Sequence, residues 1–456
     1  MNSLKYIFLL AIGLAIVSCD EFLDEAPQSN LVDDEVFSNT TNVEAAVNGA
    51  YRSLVNQGYY GRHLTITTAL SAQELEDPNN TNTTFLEFSD HILQPNNNLL
   101  QAMWADIYNG VQSANKIIAY APRADGEQAT IDRQLAEAHF LRGLHYFNLV
   151  RLFGNVPLYL EPIVNTNSED IHLANATIVE VYDQIKSDLE AAESLMPSDF
   201  SKAGRASIGA IKSVLAKVYL YNGEYEQAAL KAEEVITSGT YMLSEEYAPL
   251  FVNDGEMESI LEIQFNERTG YNGIRVATMP LGDPYEGQGI PLVSYFENNG
   301  DSTTYPLFSF YPEGDLRKED MFYFQDNNYY IIKYTTNPNY DNVSLIRLPE
   351  VMLIYAEAEA RSNGSVTEAA FDAYNAVRSR ANVADSIEEY ENVEEFVEVV
   401  VEEKRRELLL ENESWFDYIR AGKADEFGVT DPNYYLYPIP QAERDANPNL
   451  AQNEGY

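Results

Sequence analysis

The scarcest side chains of this chain are one cysteine, two tryptophans and five histidines, and its 29 Lys and Arg are outnumbered by 72 Asp and Glu. One cysteine excludes an intramolecular disulfide and a cysteine-built zinc site. A net charge of −43 repels phosphate backbones and anionic headgroups, which argues against a nucleic-acid partner. No apolar run approaches the roughly 20 residues that a membrane-spanning helix takes. Catalytic signatures are missing too. His63, His91, His139, His145 and His172 form no H-E-x-x-H pair, and there is no G-x-S-x-G elbow, P-loop or dinucleotide fingerprint. Among so many carboxylates a glycosidase-like pair arises by chance, so the acids point to no enzyme and the sequence implies no cofactor.

What is present is a large core supply, 45% hydrophobic and 12% aromatic, with 32 tyrosines. The cysteine gains meaning from its position. Lys5 precedes an apolar run from Tyr6 to Val17 that suits a signal-peptide core. It ends Ile16-Val17-Ser18-Cys19, which resembles the lipobox of bacterial lipoproteins and implies cleavage before an acylated Cys19. The following Asp20-Glu21 resembles the surface-export signal of Bacteroidota lipoproteins, whereas in enterobacteria Asp at that place implies inner-membrane retention. An ordinary signal peptide with an incidental cysteine is the plainer alternative. The expected division is a leader over 1–18, a lipidated tether over 19–37 and one domain over 38–456.

Helical spacing recurs along that domain. It predicts helices at Thr41–Leu54, Leu99–Tyr120, Gln134–Phe153, Ile178–Leu195, Ser207–Tyr221 and Tyr225–Ser238, with a loop from Gly58 to Asn98. Ala216, Tyr219, Gly223, Tyr225 and Ala228 have the helix–Gly–Tyr–Ala pattern of a tetratricopeptide unit, repeated at Pro349–Ser362 and Thr367–Ala381. A last helix is expected over Glu394–Leu410, continuing toward Arg420. From about 241 to 346 the chain turns rich in Gly, Pro, Asn, Tyr and Phe, with short strand-like runs at Leu261–Phe265 and Tyr329–Tyr334. The expectation is a mostly α, tetratricopeptide-like helical-repeat scaffold carrying a long irregular, loop-rich insertion; segments of that kind tend to be functional.

Four segments together resemble the SusD/RagB family of outer-membrane glycan-binding lipoproteins. They are Trp104-Ala105-Asp106-Ile107-Tyr108; Ala136 to Arg142 running on to Val156-Pro157; Arg347-Leu348-Pro349-Glu350 with Tyr355-Ala356-Glu357-Ala358; and Arg405-Arg406-Glu407-Leu408 with Trp415-Phe416-Asp417. The tail, with Tyr437-Pro438-Ile439-Pro440 and Asn447-Pro448-Asn449, looks like the family's close. Asn412 departs from the pattern, standing where Gly is common. The resemblance implies a lipid-anchored, surface-exposed outer-membrane lipoprotein. It would capture oligosaccharide and pass it, as a lid, to a SusC-type TonB-dependent transporter without catalysis.

The motif aromatics, spaced as on helices, are expected in the core, and Arg142, Arg151, Arg405 and Arg406 in ion pairs. Sugar binding takes aromatic faces against ring C–H groups and polar side chains for hydroxyls. The family places such a site on early loops and in the irregular half. The early candidates are Tyr59, Tyr60, Arg62, Glu74, Asp77, Asn79 and Asn80; the insertion offers Tyr285, Tyr295, Phe296, Asn298, Tyr305, Phe308 and Tyr311. The net charge favours a neutral glycan, unless a basic patch such as Arg275, Arg317 and Lys318 forms locally. A Ca²⁺ in an Asp/Asn loop has no full EF-hand pattern behind it. The rivals are a tetratricopeptide-type lipoprotein that binds protein only and a surface glycoside hydrolase.

Overall fold

The computed structural model describes residues 36–164, 171–247, 255–281, 292–298, 303–335, 340–387, 390 and 392–456. The leader, Cys19 and most of the tether lie outside these residues. The scaffold is built from α1 (Thr40–Arg52), α2 (His63–Ser71), α3 (Asn98–Tyr120), α4 (Gln128–Phe153), α5 (Ile178–Leu195), α6 (Ile208–Tyr221), α7 (Tyr225–Ile236), α8 (Leu348–Asn363), α9 (Glu368–Arg380), α10 (Val393–Glu407) and α11 (Ser414–Arg420). Helices close in the chain pack together: α4 lies against α3 and α5, α6 against α7, and α8 against α7, α9 and α10.

The sequence dictates these helices simply. On α5, Val181, Ile185, Leu189 and Ala192 recur at helical spacing and are buried, and Thr177 with Glu180 closes a capping box at the start. Ser207 and Thr367 cap α6 and α9 through their hydroxyls. Gly364 takes a left-handed φ of 65° after α8, so the chain reverses at Asn363-Gly364.

Three segments differ from the periodic reading. The expected loop 58–98 contains α2 and a short helix at Thr83–Ser89. Every residue of α2 from Leu64 to Ser71 is buried, so no polar face marks it as a helix. Second, α4 begins at Gln128, six residues before its expected start at Gln134. Third, the last long helix stops at Glu407 and restarts at Ser414, because Leu410 and Asn412 adopt left-handed φ values of 58° and 71°. Asn is among the few non-glycine residues that tolerate that region.

The core aromatics fall as the motifs require: Trp104, Phe140, Phe147, Trp415 and Phe416 are buried. Arg142 holds Asp188 through Nε at 2.9 Å and Nη2 at 2.7 Å, and Arg151 meets Glu413 at 2.9 Å. Arg406 pairs with Glu402 one turn back at 3.1 Å. Arg405 instead donates to the Ala72 carbonyl at 3.0 Å and lies over the Phe427 ring. The tail is tied down by its asparagines, with Asn453 Nδ2 donating to the carbonyls of Tyr437 and Phe153 at 2.7 and 3.0 Å.

The insertion is fastened at both ends by one antiparallel pair, β2 (Ser259–Ile263) against β8 (Val343–Arg347). β1 (Leu75–Glu76), from the early loop, pairs with β3 (Val293–Ser294) inside the insertion. β4 (Glu297–Asn298) pairs with β5 (Thr303–Thr304), and β6 (Phe322–Gln325) with β7 (Asn328–Ile331).

Candidate functional site, two aromatic platforms

β6 and β7 are joined by Asp326 and Asn327, both with positive φ. Two left-handed residues make the hairpin turn whose twist matches its strands. The hairpin sets Tyr329 opposite Phe324 on one face. The Tyr329 ring stacks on Phe308 at 4.1 Å and 16°, while Tyr305 and Phe324 approach it at 4.9 Å. Phe296 extends the group toward Tyr305 at 6.4 Å. The Tyr305 hydroxyl donates to the Asn327 carbonyl, which fixes the ring. Lys318 Nζ sits 4.0 Å over Phe308. Phe324 is 53% exposed, and Tyr305, Phe308 and Tyr329 are half-buried. The result is an accessible apolar surface, with the exposed Glu297, Asp326 and Asn327 close to its rings in the chain and able to bond hydroxyls.

The early loop reaches this platform through the β1–β3 pair, and Tyr295 N–H donates to the Glu74 carbonyl at 3.2 Å. Burial, with Asp90 and Asp77 nearby, pushes the Glu76 carboxyl up to about 7. Burial also raises the Tyr295 hydroxyl, helped by Glu297 and Glu76.

Several sequence candidates have other work. Tyr59 and Tyr60 are buried, with both hydroxyls accepting from Asn148 Nδ2. Glu74 is buried, accepting from the Leu410 N–H at 3.2 Å and from Ser414. Asp77 accepts the N–H groups of Asn79, Thr81 and Asn82 at 3.1, 3.0 and 2.8 Å, so its carboxylate shapes the loop. Tyr311 is buried and donates to the Arg406 carbonyl at 2.9 Å. These five are core and loop-building groups with no face for a ligand. Asn79 is exposed, as is Asn80; Tyr285 and the Asn298 side chain lie outside the described residues. Phe296, Tyr305 and Phe308 are the candidates that come together around Tyr329, while Tyr295 joins through its backbone alone.

The basic patch of Arg275, Arg317 and Lys318 does not form. Arg317 is wholly buried between Asp315, Glu403 and Glu407, at 2.8, 2.6 and 2.9 Å, and Arg275 is buried as well. Only Lys318 reaches the platform.

A second platform escaped the sequence reading. Tyr271 and Tyr340 stack at 5.4 Å and 3°, with Tyr271 56% exposed. Gln57 Nε2 donates to the Tyr271 carbonyl at 3.3 Å, and Gly273 N–H to the Gly61 carbonyl at 2.8 Å. A Cβ on Gly273 would stand 3.0 Å from Arg62 Cβ, so this glycine lets the loop close onto the start of α2. Arg62 is therefore the early candidate whose backbone lies against the loop that carries Tyr271. Phe324 and Tyr329 had a signal in the alternating aromatics around Asp326-Asn327; the Tyr271–Tyr340 pair, distant in sequence, had none.

Among the described residues no group of three His, Cys, Asp or Glu is placed to hold a metal, and no helix is long and apolar enough to cross a membrane. His139 meets Asp188 at 2.7 Å, a carboxylate already shared with Arg142.

Comparison with known proteins agrees along the whole chain. Residues 21–220 match a family described as "Starch-binding associating with outer membrane", and residues 220–433 match "SusD family". SusD-like protein P2 of Formosa agariphila is 27% identical, with 100% of both chains covered. Starch-binding protein SusD of Bacteroides thetaiotaomicron is 26% identical over 71% of this chain and 73% of its own. A solved laminarin-binding SusD-like protein superposes with a TM-score of 0.79 at 26% identity, covering 92% of this chain and 100% of that one. A SusD superfamily protein from Parabacteroides distasonis shares the fold at TM-score 0.79 and 24% identity, over 94% of this chain and 100% of its own.

Proposed function

Because the chain belongs to the SusD/RagB family, we propose that it is a lipoprotein, anchored through Cys19, that captures a glycan at the outer-membrane surface. It hands the glycan to a SusC-type TonB-dependent transporter over which it sits as a lid, and it makes and breaks no bond itself. The observation that carries the glycan reading is the accessible Tyr305–Phe308–Phe324–Tyr329 platform. A pyranose ring laid on such a surface buries its apolar C–H face, while Glu297, Asp326 and Asn327 accept or donate at its rim. The starch-binding and laminarin-binding relatives lend support to a polysaccharide as ligand.

The test is retention of the soluble form, starting after Cys19, by gels of immobilised laminarin, starch, polygalacturonate and a sulfated galactan. Retention by one of them, lost in Phe324→Ala and Tyr305→Ala with melting temperature unchanged, is the expected result. No retention across the panel would favour the scaffold that binds protein only. Co-purification of full-length chain with a TonB-dependent barrel tests the lid separately.

A further inference from the structure

Beside the Tyr271–Tyr340 platform runs a strip of three arginines, Arg62, Arg52 and Arg268, that make no ion pair among the described residues. In this acid-rich chain the buried arginines Arg142, Arg151, Arg205, Arg317, Arg347 and Arg378 each meet a carboxylate within 3 Å. Arg62 does not. Its Nε is buried without a hydrogen-bond partner among the described residues, and burial alone lowers its pKa, with no acid opposing that effect. Beside it His63 Nδ1 is buried and unpartnered among the described residues, and burial together with the Arg62 charge brings this imidazole down to about 4, so the ring is neutral and neither adds to nor offsets the Arg62 charge. Thr65, wholly buried, leaves its hydroxyl unpartnered in the same turn.

The neighbouring loop adds to the strip. Arg52 Nη1 donates to the Arg268 carbonyl at 2.7 Å, and both side chains are exposed without an ion pair among the described residues. They border a cleft of about 500 Å³ whose walls include Tyr51, Leu54, Arg205 and Ile263 and contain no Asp or Glu. The acids near the platform are Asp106, held by the Gly58 N–H at 3.0 Å and Asn56 at 3.2 Å, Glu267, which stands near Tyr340, and the buried Asp341, which follows Tyr340 in the chain. The remaining negative charge acts weakly here, because salt screens exposed charges beyond about 8 Å at physiological ionic strength.

We infer that the Tyr271–Tyr340 platform, with Arg62 and the Arg52–Arg268 edge, binds a sugar carrying an oxyanion, a uronate carboxylate or a sulfate ester. The stacked tyrosines take the ring and Arg62 supplies the charge-assisted hydrogen bonds, which are the stronger kind. This deepens the glycan reading and rests on it.

Titration calorimetry of the soluble form with three defined oligosaccharides tests it: laminarihexaose, a galacturonate hexamer and a sulfated galactan hexamer. An acidic hexamer should bind at least tenfold more tightly than laminarihexaose. Tighter binding of the galacturonate assigns a carboxylate, and tighter binding of the sulfated chain a sulfate. Arg62→Gln should weaken the acidic ligand about tenfold, as expected for losing one hydrogen bond to a charged group, while Arg62→Lys retains most of the affinity. Raising NaCl from 50 to 500 mM should weaken the acidic ligand and leave laminarihexaose unmoved. Acidic hexamers that bind no tighter than the neutral one, or an Arg62→Gln protein that binds them as before, overturn the inference while leaving the glycan reading intact. Failure of all three hexamers and of the polysaccharide panel overturns both.

Discussion

The helical scaffold and the insertion reach order by different physics. In the scaffold, backbone groups are satisfied within helices, and buried apolar stripes such as Val181–Ile185–Leu189 hold the helices together. Among its described residues the insertion has only two-stranded pairs and short helices, so much of this backbone finds no such ladder. It is fixed by side chains that reach the end of α10. Tyr247 and Arg347 donate to the Glu407 carbonyl, Tyr311 to that of Arg406, and Lys333 to that of Leu409 at 2.6 Å. A helix leaves its last four carbonyls without intrahelical partners, and here the insertion and its closing strand supply partners for two of them, Arg406 and Glu407. Its cations add charge to charge: Arg317 and Arg347 meet Glu403, Glu407 and Glu411, and Arg380 of α9 joins Glu258 at 2.6 Å. Irregular chain can thus be positioned firmly if a regular element nearby lends its orphan groups.

The largest effect should come from breaking that junction. Glu407 faces Arg317, Arg347 and Arg380. Glu407→Gln leaves these buried cations short of a counter-charge and should cost about 3–5 kcal/mol. Urea denaturation would read this as a lower midpoint, with cleavage sites within 241–346 opening before those in α3–α5. A midpoint shift below about 1 kcal/mol would mean that tyrosine packing, not the ion network, fastens the insertion.

A smaller loss separates core tyrosines from ligand tyrosines. Tyr59→Phe removes the hydroxyl that meets Asn148 and, at 3.3 Å, His145. Leaving a buried group without its partner should destabilise the fold by about 1–2 kcal/mol. Glycan affinity should stay at wild-type level, since this ring never meets solvent; reduced affinity in a stably folded protein would return Tyr59 to the site.

These examples also mark how far the residues speak for themselves. The amphipathic helices were legible because one face is wet, and α5 was bounded correctly at both ends. α2 was hidden because burial on all sides erases the periodicity. Aromatic loop residues announced a functional region but not a role. Tyr305 and Tyr311 look alike in sequence, yet one lies on the platform and the other caps a helix carbonyl. That distinction depends on pairings between distant segments, such as β1 with β3, which no local pattern encodes.

Two carboxylates sharpen the contrast through opposite pH limbs. In the scaffold, burial opposes ionisation of Glu44, but the Arg133 hydrogen bond and the charges of Arg205 and Arg133 bring it down to about 2. Its contribution is complete above the unfolded value near 4.5 and fades as pH falls toward 2. Glu76, beside the insertion, is raised to about 7. The fold favours its protonated form, so stability is fullest below 4.5 and declines as pH rises to 7. Melting curves from pH 2 to 8 should show Glu44→Gln flattening the acid limb and Glu76→Gln removing the decline above 4.5. The same limb lost in both variants would contradict these opposed environments.

The smallest effect concerns the break between α10 and α11. Asn412 holds a φ of 71°, and its amide nitrogen and oxygen are buried without partners. Glycine adopts that φ without steric cost but gains freedom in the unfolded chain, two effects that nearly cancel. Asn412→Gly should therefore change stability by less than about 1 kcal/mol, toward stabilisation because a desolvated amide is removed. Asn412→Val, branched at Cβ and forced into the same φ, should lose far more. Equal melting temperatures for the two variants would show that the break is set by the ion pairs on either side and not by the left-handed residue between the helices.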